Sequence, residues 1–203
     1  MGQGKRHLHR CHALYDMIRA VCVPEHTVGA DQFVYFDAAN PERCLEPDAF
    51  VTKGVPDHDF GAYLVWEEGT PDVAFEVLAS GSPERWTFEE KVRRYHALGV
   101  RELVAFHVDA EPGERLRVWD RIENDLVERV VTDDKTPCLT LGVTLLVGPV
   151  EQYAVGLRLA RDADGRDLVL TDAEGRRAEA EGRKQAEERI AELEKELAAR
   201  RQH

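Results

Sequence analysis

The stretch that most constrains the fold is 71–99, PDVAFEVLASGSPERWTFEEKVRRYHALG. Its first half has the length and apolar content of a buried strand, and its second half spaces apolar residues as an amphipathic helix does. Side chains on a strand alternate faces, so Asp72, Ala74, Glu76, Leu78 and Ser80 share one side while Val73, Phe75 and Val77 share the other. Glu76 then stands on an otherwise apolar face. Unless that face lies at an edge open to water, its carboxylate must be paired, hydrogen-bonded or bound to a cation. With Phe88 at zero and about 100° per residue, Val92 falls near ~40°, Tyr95 near ~340°, Lys91 near ~300° and Leu98 near ~280°. Lys91 is therefore the one charge inside the apolar arc; Arg94 borders it, and Glu89, Glu90 and Arg93 lie outside. The alternative for Lys91 is a stem that runs past apolar neighbours to water.

The remaining chain organises around this pair of elements. Leu8, Cys11, Tyr15, Ile18 and Cys22 recur at steps of three and four, which predicts an N-terminal helix ended by Pro24. His7, His9 and His12 on that helix read as a solvated polar face rather than as metal ligands. Strands are expected at 33–36 and 48–53, adjacent to one another, with a short one at 62–66. Gly99 stops the helix, and LVAFHV follows as a buried strand. Strand, helix, strand implies a crossover and a parallel pairing. RLRVWDRI and DLVERVVT alternate as half-exposed antiparallel strands do, and TLGVTLLVGPV adds a further apolar element. The expected organisation is a domain over 1–157, a polar connector or small hairpin over 158–172, and a charged helical tail over 173–203. In that tail Ala186, Ile190, Leu193 and Leu197 form a seam of less than two heptads, suited to a short coiled coil and a homodimer.

With 203 residues and 43% hydrophobic content the chain supports one core. It has no run of eighteen apolar residues and no apolar signal segment at its N-terminus, so a cytoplasmic, membrane-free protein is expected. Four scattered cysteines without a CxxC pair argue against a zinc knuckle or disulfide framework. The net charge of −12 excludes a broad electropositive surface, so any contact with nucleic acid must use a local one. Walker-type glycine loops and nucleophile elbows are absent from the sequence. The loop group Asp57, His58 and Asp59 reads as solvated.

Asp48, after Pro47 at the start of its strand, supplies a second carboxylate. Two carboxylates on neighbouring strands with an inward lysine make a hard-cation site of the kind that takes Mg²⁺, with an ammonium placed to act on a water or a phosphate. The order EPDAF, PDVAFEVLAS, EEKVRRYHALGVREL resembles the Uma-two family of restriction endonucleases, within the PD-(D/E)XK nuclease superfamily; WEEG at 66–69 adds a weaker match. The resemblance implies an α/β fold, a restriction-endonuclease-like mixed sheet flanked by helices, with a charged helical tail. It also implies DNA phosphodiester hydrolysis. Residue by residue it assigns Asp48 and Glu76 to Mg²⁺, with Mn²⁺ as a substitute, the backbone carbonyl of Val77 as a further ligand, and Lys91 to the attacking water. The position two after the glutamate is Leu78, so the lysine comes from the following helix. The linker 79–88 departs from the family, with Trp86 and Thr87 where an Asp is expected, and Leu103 and His107 replace an aromatic and an Asp. These departures frame the alternative, a degenerate nuclease fold that acts as an interaction module.

Overall fold

A computed structural model describes residues 4–79 and 86–200. In chain order the elements are α1 (Lys5–Cys22), β1 (Thr27–Gly29), β2 (Val34–Tyr35), β3 (Cys44–Leu45), β4 (Ala49–Thr52), β5 (Tyr63–Leu64), α2 (Val65–Glu68), β6 (Val73–Leu78), α3 (Phe88–Leu98), β7 (Glu102–His107), β8 (Leu116–Ile122), β9 (Asp125–Arg129), β10 (Lys135–Cys138), β11 (Val143–Val150), β12 (Tyr153–Ala160) and α4 (Asp172–Arg200). A six-stranded sheet in the order β1-β4-β6-β7-β8-β9 forms the centre; β10-β11-β12 and β3-β2-β5 make two smaller sheets. Only β6 and β7 run parallel in the central sheet, joined through α3 as the strand, helix, strand order requires. The remaining central pairs are antiparallel, so the sheet is mixed. Among the described residues no helix is long and apolar enough to cross a membrane.

Alternation along β6 divides the core. Val73, Phe75 and Val77 pack with Leu14, Met17 and Ile18 of α1 and with Leu145 and Leu159 of the β10-β11-β12 sheet. Ala74 and Leu78 face the other way, toward Tyr95 and Leu98 of α3 and Val34 and Tyr63 of the smallest sheet. The helix α3 is fixed at both ends. Thr87 and Glu90 form a capping box at its start. Gly99 closes it with φ 98°, a left-handed conformation that glycine adopts without steric cost.

Two sequence expectations are corrected. The segments at 33–36 and 48–53 are not neighbours: β2 pairs with β3 and β5, while β4 lies between β1 and β6. Ala49, Phe50 and Val51 are fully buried, and a strand covered on both faces needs full-length partners that a two-residue strand cannot supply. The second correction concerns α1. Leu8 is exposed and His7 is buried, because His7, Cys11, Leu14 and Ile18 also recur at helical spacing and form the inward face. Only His12 of the three helical histidines is exposed; His9 is half-buried.

At the C-terminal end β12 runs past the expected boundary at 157 and stays paired with β11. The helix α4 begins with a capping box formed by Thr171 and Glu174. Thr171 Oγ1 accepts the Glu174 N–H, and the Glu174 carboxylate accepts the Thr171 N–H. From Arg176 onward every described side chain of α4 is exposed.

Candidate functional site

Strand register brings the two carboxylates together. Ala49 of β4 stands opposite Phe75 of β6. Continuing that antiparallel register by one pair sets Asp48, just before the strand, opposite Glu76. Both are buried, at 5% and 3% exposure. Like charges facing one another across neighbouring strands repel, and burial strengthens the effect.

Each carboxylate is held by groups from a different layer. Alternation turns Glu76 toward α3, where Lys91 and Tyr95 lie one helical turn apart. Lys91 Nζ donates to Glu76 Oε2 at 2.7 Å, and the Tyr95 hydroxyl donates to Oε1 at 2.5 Å. The Lys91 side chain is 15% exposed, so it does not run out to water; it ends on the carboxylate. Asp48 is oriented from the other side. Its Oδ2 accepts the Val77 backbone N–H at 2.6 Å, and His7 Nε2 lies 3.1 Å from Oδ1. Cys11 Sγ is 3.3 Å from the same His7 nitrogen. In an extended strand the carbonyl of a residue leaves on the same side as its N–H, so the Val77 carbonyl also opens toward the Asp48 side.

The electrostatics are those of negative charge in excess. Burial pushes the Glu76 carboxyl up to about 7, against the pull of Lys91; the nearby Asp48 adds to the rise. The hydrogen bond to the Asp48 carboxylate raises His7 although burial opposes it. Asp31 and Glu46 sit exposed at the rim, and both carboxyls are raised, first by partial burial and then by the charge of their acidic neighbours. Burial raises the Cys11 thiol, which keeps it protonated at neutral pH. A multivalent cation ligated by these oxygens would relieve the repulsion, and the donor set of Asp48, Glu76 and a backbone carbonyl fits a hard ion such as Mg²⁺.

The structure thus gathers Asp48, Glu76, Val77 and Lys91 at one place, the end of β6 under α3. His7, Cys11 and Tyr95 join them without having been singled out for that place. Tyr95 was legible as an inward residue but not as a carboxylate partner. The contact of His7 with Asp48 spans 41 residues of sequence and left no local signal. The loop group lies elsewhere. Asp57 pairs with Arg19 and accepts the Val28 N–H, and His58 pairs with Glu68. Residues 80–85 of the linker, including Ser80, lie outside the described residues.

Comparison with known proteins places the chain. It is similar to a solved structure described as "a putative nuclease belonging to DUF820 from Anabaena variabilis ATCC 29413", with 15% identity, a TM-score of 0.49, and coverage of 70% of this chain and 75% of that one. No curated protein matches it. The profile of the Uma2 family, described as "Putative restriction endonuclease", matches residues 1–148, which include the central sheet, α1, α3 and all the residues gathered around Asp48 and Glu76. The chain belongs to the Uma2 family.

Proposed function

We propose that this protein is a Mg²⁺-dependent deoxyribonuclease, able to use Mn²⁺ in its place, that hydrolyses DNA phosphodiester bonds. The observation that carries the proposal is the buried pair of facing carboxylates, Asp48 and Glu76, with the Lys91 ammonium 2.7 Å from one of them. Asp48, Glu76 and the Val77 carbonyl would hold the ion. When bound, Mg²⁺ supplies Lewis acidity at a phosphate oxygen and lowers the pKa of a ligated water. Tyr95 and the Val77 N–H keep the two carboxylates in place. Lys91 puts a positive charge where a water can be oriented and where charge develops on a phosphate.

A local basic surface supports a nucleic-acid substrate despite the overall acidity. Arg93 and Arg94, on the outer side of α3, line one concavity with Arg43, Phe36 and Trp86. The Arg94 guanidinium stacks 3.9 Å from the centre of the Trp86 ring. Asp37 pairs with Arg43, and Glu90, which also lines the concavity, faces Arg93 and Arg94, so three arginines there stand against two carboxylates. Such a combination of arginines and an aromatic ring suits a sugar-phosphate backbone with accessible bases.

Replacing Lys91 with Ala is expected to lower Mg²⁺-dependent cleavage of DNA by roughly 10²-fold or more while circular dichroism stays unchanged. Cleavage at the wild-type rate by the purified variant would sink the assignment. Asp48→Asn and Glu76→Gln are expected to weaken Mg²⁺ binding in calorimetry; a wild type that takes up no Mg²⁺ would refute the oxygen-ligand site itself.

The tail is proposed to pair with a second copy of the chain. Ile190, Leu193 and Leu197 are exposed on α4 at coiled-coil spacing, and nothing else in the described structure covers them. On this reading the nuclease domain extends through β12 and its anchor to the first turn of α4, and the exposed part of α4 from Arg176 is the pairing segment.

A further inference from the structure

We propose that His7, Cys11 and Asp48 form a second cation site, suited to a borderline-soft divalent ion such as Zn²⁺ and distinct in chemistry from the oxygen site for Mg²⁺. The three potential ligand atoms, one nitrogen, one sulfur and one oxygen, all lie within 4.8 Å of one another and belong to buried residues. His7 and Cys11 are four residues apart on α1, the spacing that aligns two side chains on one helix face. Asp48 meets them from the start of β4. Its other oxygen is fixed by the Val77 N–H, which leaves Oδ1 directed at the pair.

The distances fit the ion. Bond lengths of about 2.0–2.3 Å in a tetrahedral zinc site place neighbouring ligand atoms about 3.3–3.6 Å apart. His7 Nε2 is already 3.1 Å from Asp48 Oδ1 and 3.3 Å from Cys11 Sγ, two edges within a few tenths of an ångström of those values, and the edge between Cys11 and Asp48 closes the triangle within 4.8 Å. The His7 ring and the Cys11 thiol both turn to the Asp48 carboxylate, which draws the three atoms together. A cation satisfies all three atoms at once.

Ligation releases the Cys11 thiol proton to solvent, and the resulting thiolate with the Asp48 carboxylate balances the two positive charges. The fourth position is left for water, as in sites with three protein ligands. The exposed carboxylates of Asp31 and Glu46 beside Asp48 give an acidic approach for the ion. One feature limits the affinity. Ligation through Nε2 moves the ring hydrogen to Nδ1, which is buried and has no acceptor among the described residues. Loss of such an outer partner weakens a metal site by about 10–100-fold, so moderate rather than extreme affinity is expected.

Co²⁺ titration of the full-length protein tests the site, because a thiolate ligand gives a near-ultraviolet charge-transfer band and tetrahedral geometry gives visible bands. With Mg²⁺ present in excess, the thiolate band of the wild type is expected to saturate at one equivalent, and Zn²⁺ to displace the cobalt. Cys11→Ala is expected to lose the charge-transfer band. His7→Gln, in the first turn of α1, is expected to bind at least tenfold more weakly, and it provides the reading should Cys11→Ala fail to fold. Glu76→Gln should keep the band. A wild type without the band, a band undiminished in either α1 variant, or its loss in a folded Glu76→Gln protein would overturn the proposal. The nuclease reading fails separately: a wild-type protein that shows the band but never cleaves DNA with Mg²⁺ refutes that reading and leaves the cobalt site standing.

Discussion

Tyr95 shows how much of the site depends on groups that do no chemistry. Its ring is fully buried between α3 and the central sheet, and its hydroxyl is the partner of Glu76 Oε1 while Lys91 takes Oε2. A carboxylate at this depth loses hydration on both oxygens, so each bond offsets part of a desolvation cost. Removing the hydroxyl with Tyr95→Phe keeps the ring and leaves Oε1 one donor short. The expected loss is about 1.5–3 kcal/mol, the range for hydrogen bonds to charged groups, seen in urea as a lower midpoint with an unchanged slope. An unchanged midpoint would show that Oε1 finds another donor at no cost. At this scale the sequence was readable in part. The helical arc placed Lys91 and Tyr95 inward, and strand alternation placed Glu76 beneath them. His7 was misplaced because two overlapping frames, one through Leu8 and one through His7, fit α1 equally well; the partner that decides between them, Asp48, is remote in sequence.

Elements are joined by polar contacts that periodicity does not announce. Arg158 on β12 is 2% exposed along its side chain, and both Glu174 oxygens accept from its Nη1, at 2.7 and 2.8 Å. The Arg158 Nη2 also donates to the Val169 carbonyl. The first turn of α4 is thereby fastened to the β10-β11-β12 sheet, although it belongs to a helix that is otherwise exposed. Burial alone would raise the Glu174 carboxyl, but Arg158 and the N–H groups of Glu151 and Thr171 together hold it below the ordinary range. A carboxyl depressed in the folded state adds stability above its unfolded value of about 4.3, and that stability is lost as pH falls through the depressed folded value. Glu174→Ala strands the guanidinium, and a cost of about 3 kcal/mol is expected at pH 7, the lower end of the range for a broken buried pair because Glu174 keeps some exposure. Urea midpoints of wild type and variant should converge as pH drops below about 4; a constant gap would assign the effect to packing. The sequence set the tail apart from 173 onward without showing this anchor. It also paired the wrong strands around β4, because burial on both faces, not local alternation, decides which strand is central.

Charge is distributed unevenly over the whole molecule. From Asp172 onward the chain has eight basic and nine acidic residues, so −11 of the net −12 lies on 1–171. The tail is close to neutral, and two copies can approach along it with little net repulsion. Its own stabilising contacts are local, such as Lys184–Glu188 and Arg189–Glu192, and contacts of this kind contribute only about 0.3–0.5 kcal/mol each. A helix exposed along most of its length gains far more from a partner that covers Ile190, Leu193 and Leu197 than from these pairs. Cutting at Ala173 would remove Glu174 together with the seam and confuse pairing with stability. A chain ending at Glu181 keeps the anchor to Arg158 and loses only the seam. Sedimentation velocity is expected to show the full chain in a concentration-dependent monomer–dimer equilibrium that reverses on dilution, since a seam of under two heptads buries little surface. The chain ending at Glu181 should sediment as a folded monomer at every concentration. A full chain whose sedimentation does not change with concentration, or a truncated one that still dimerises, would place the self-association elsewhere or remove it.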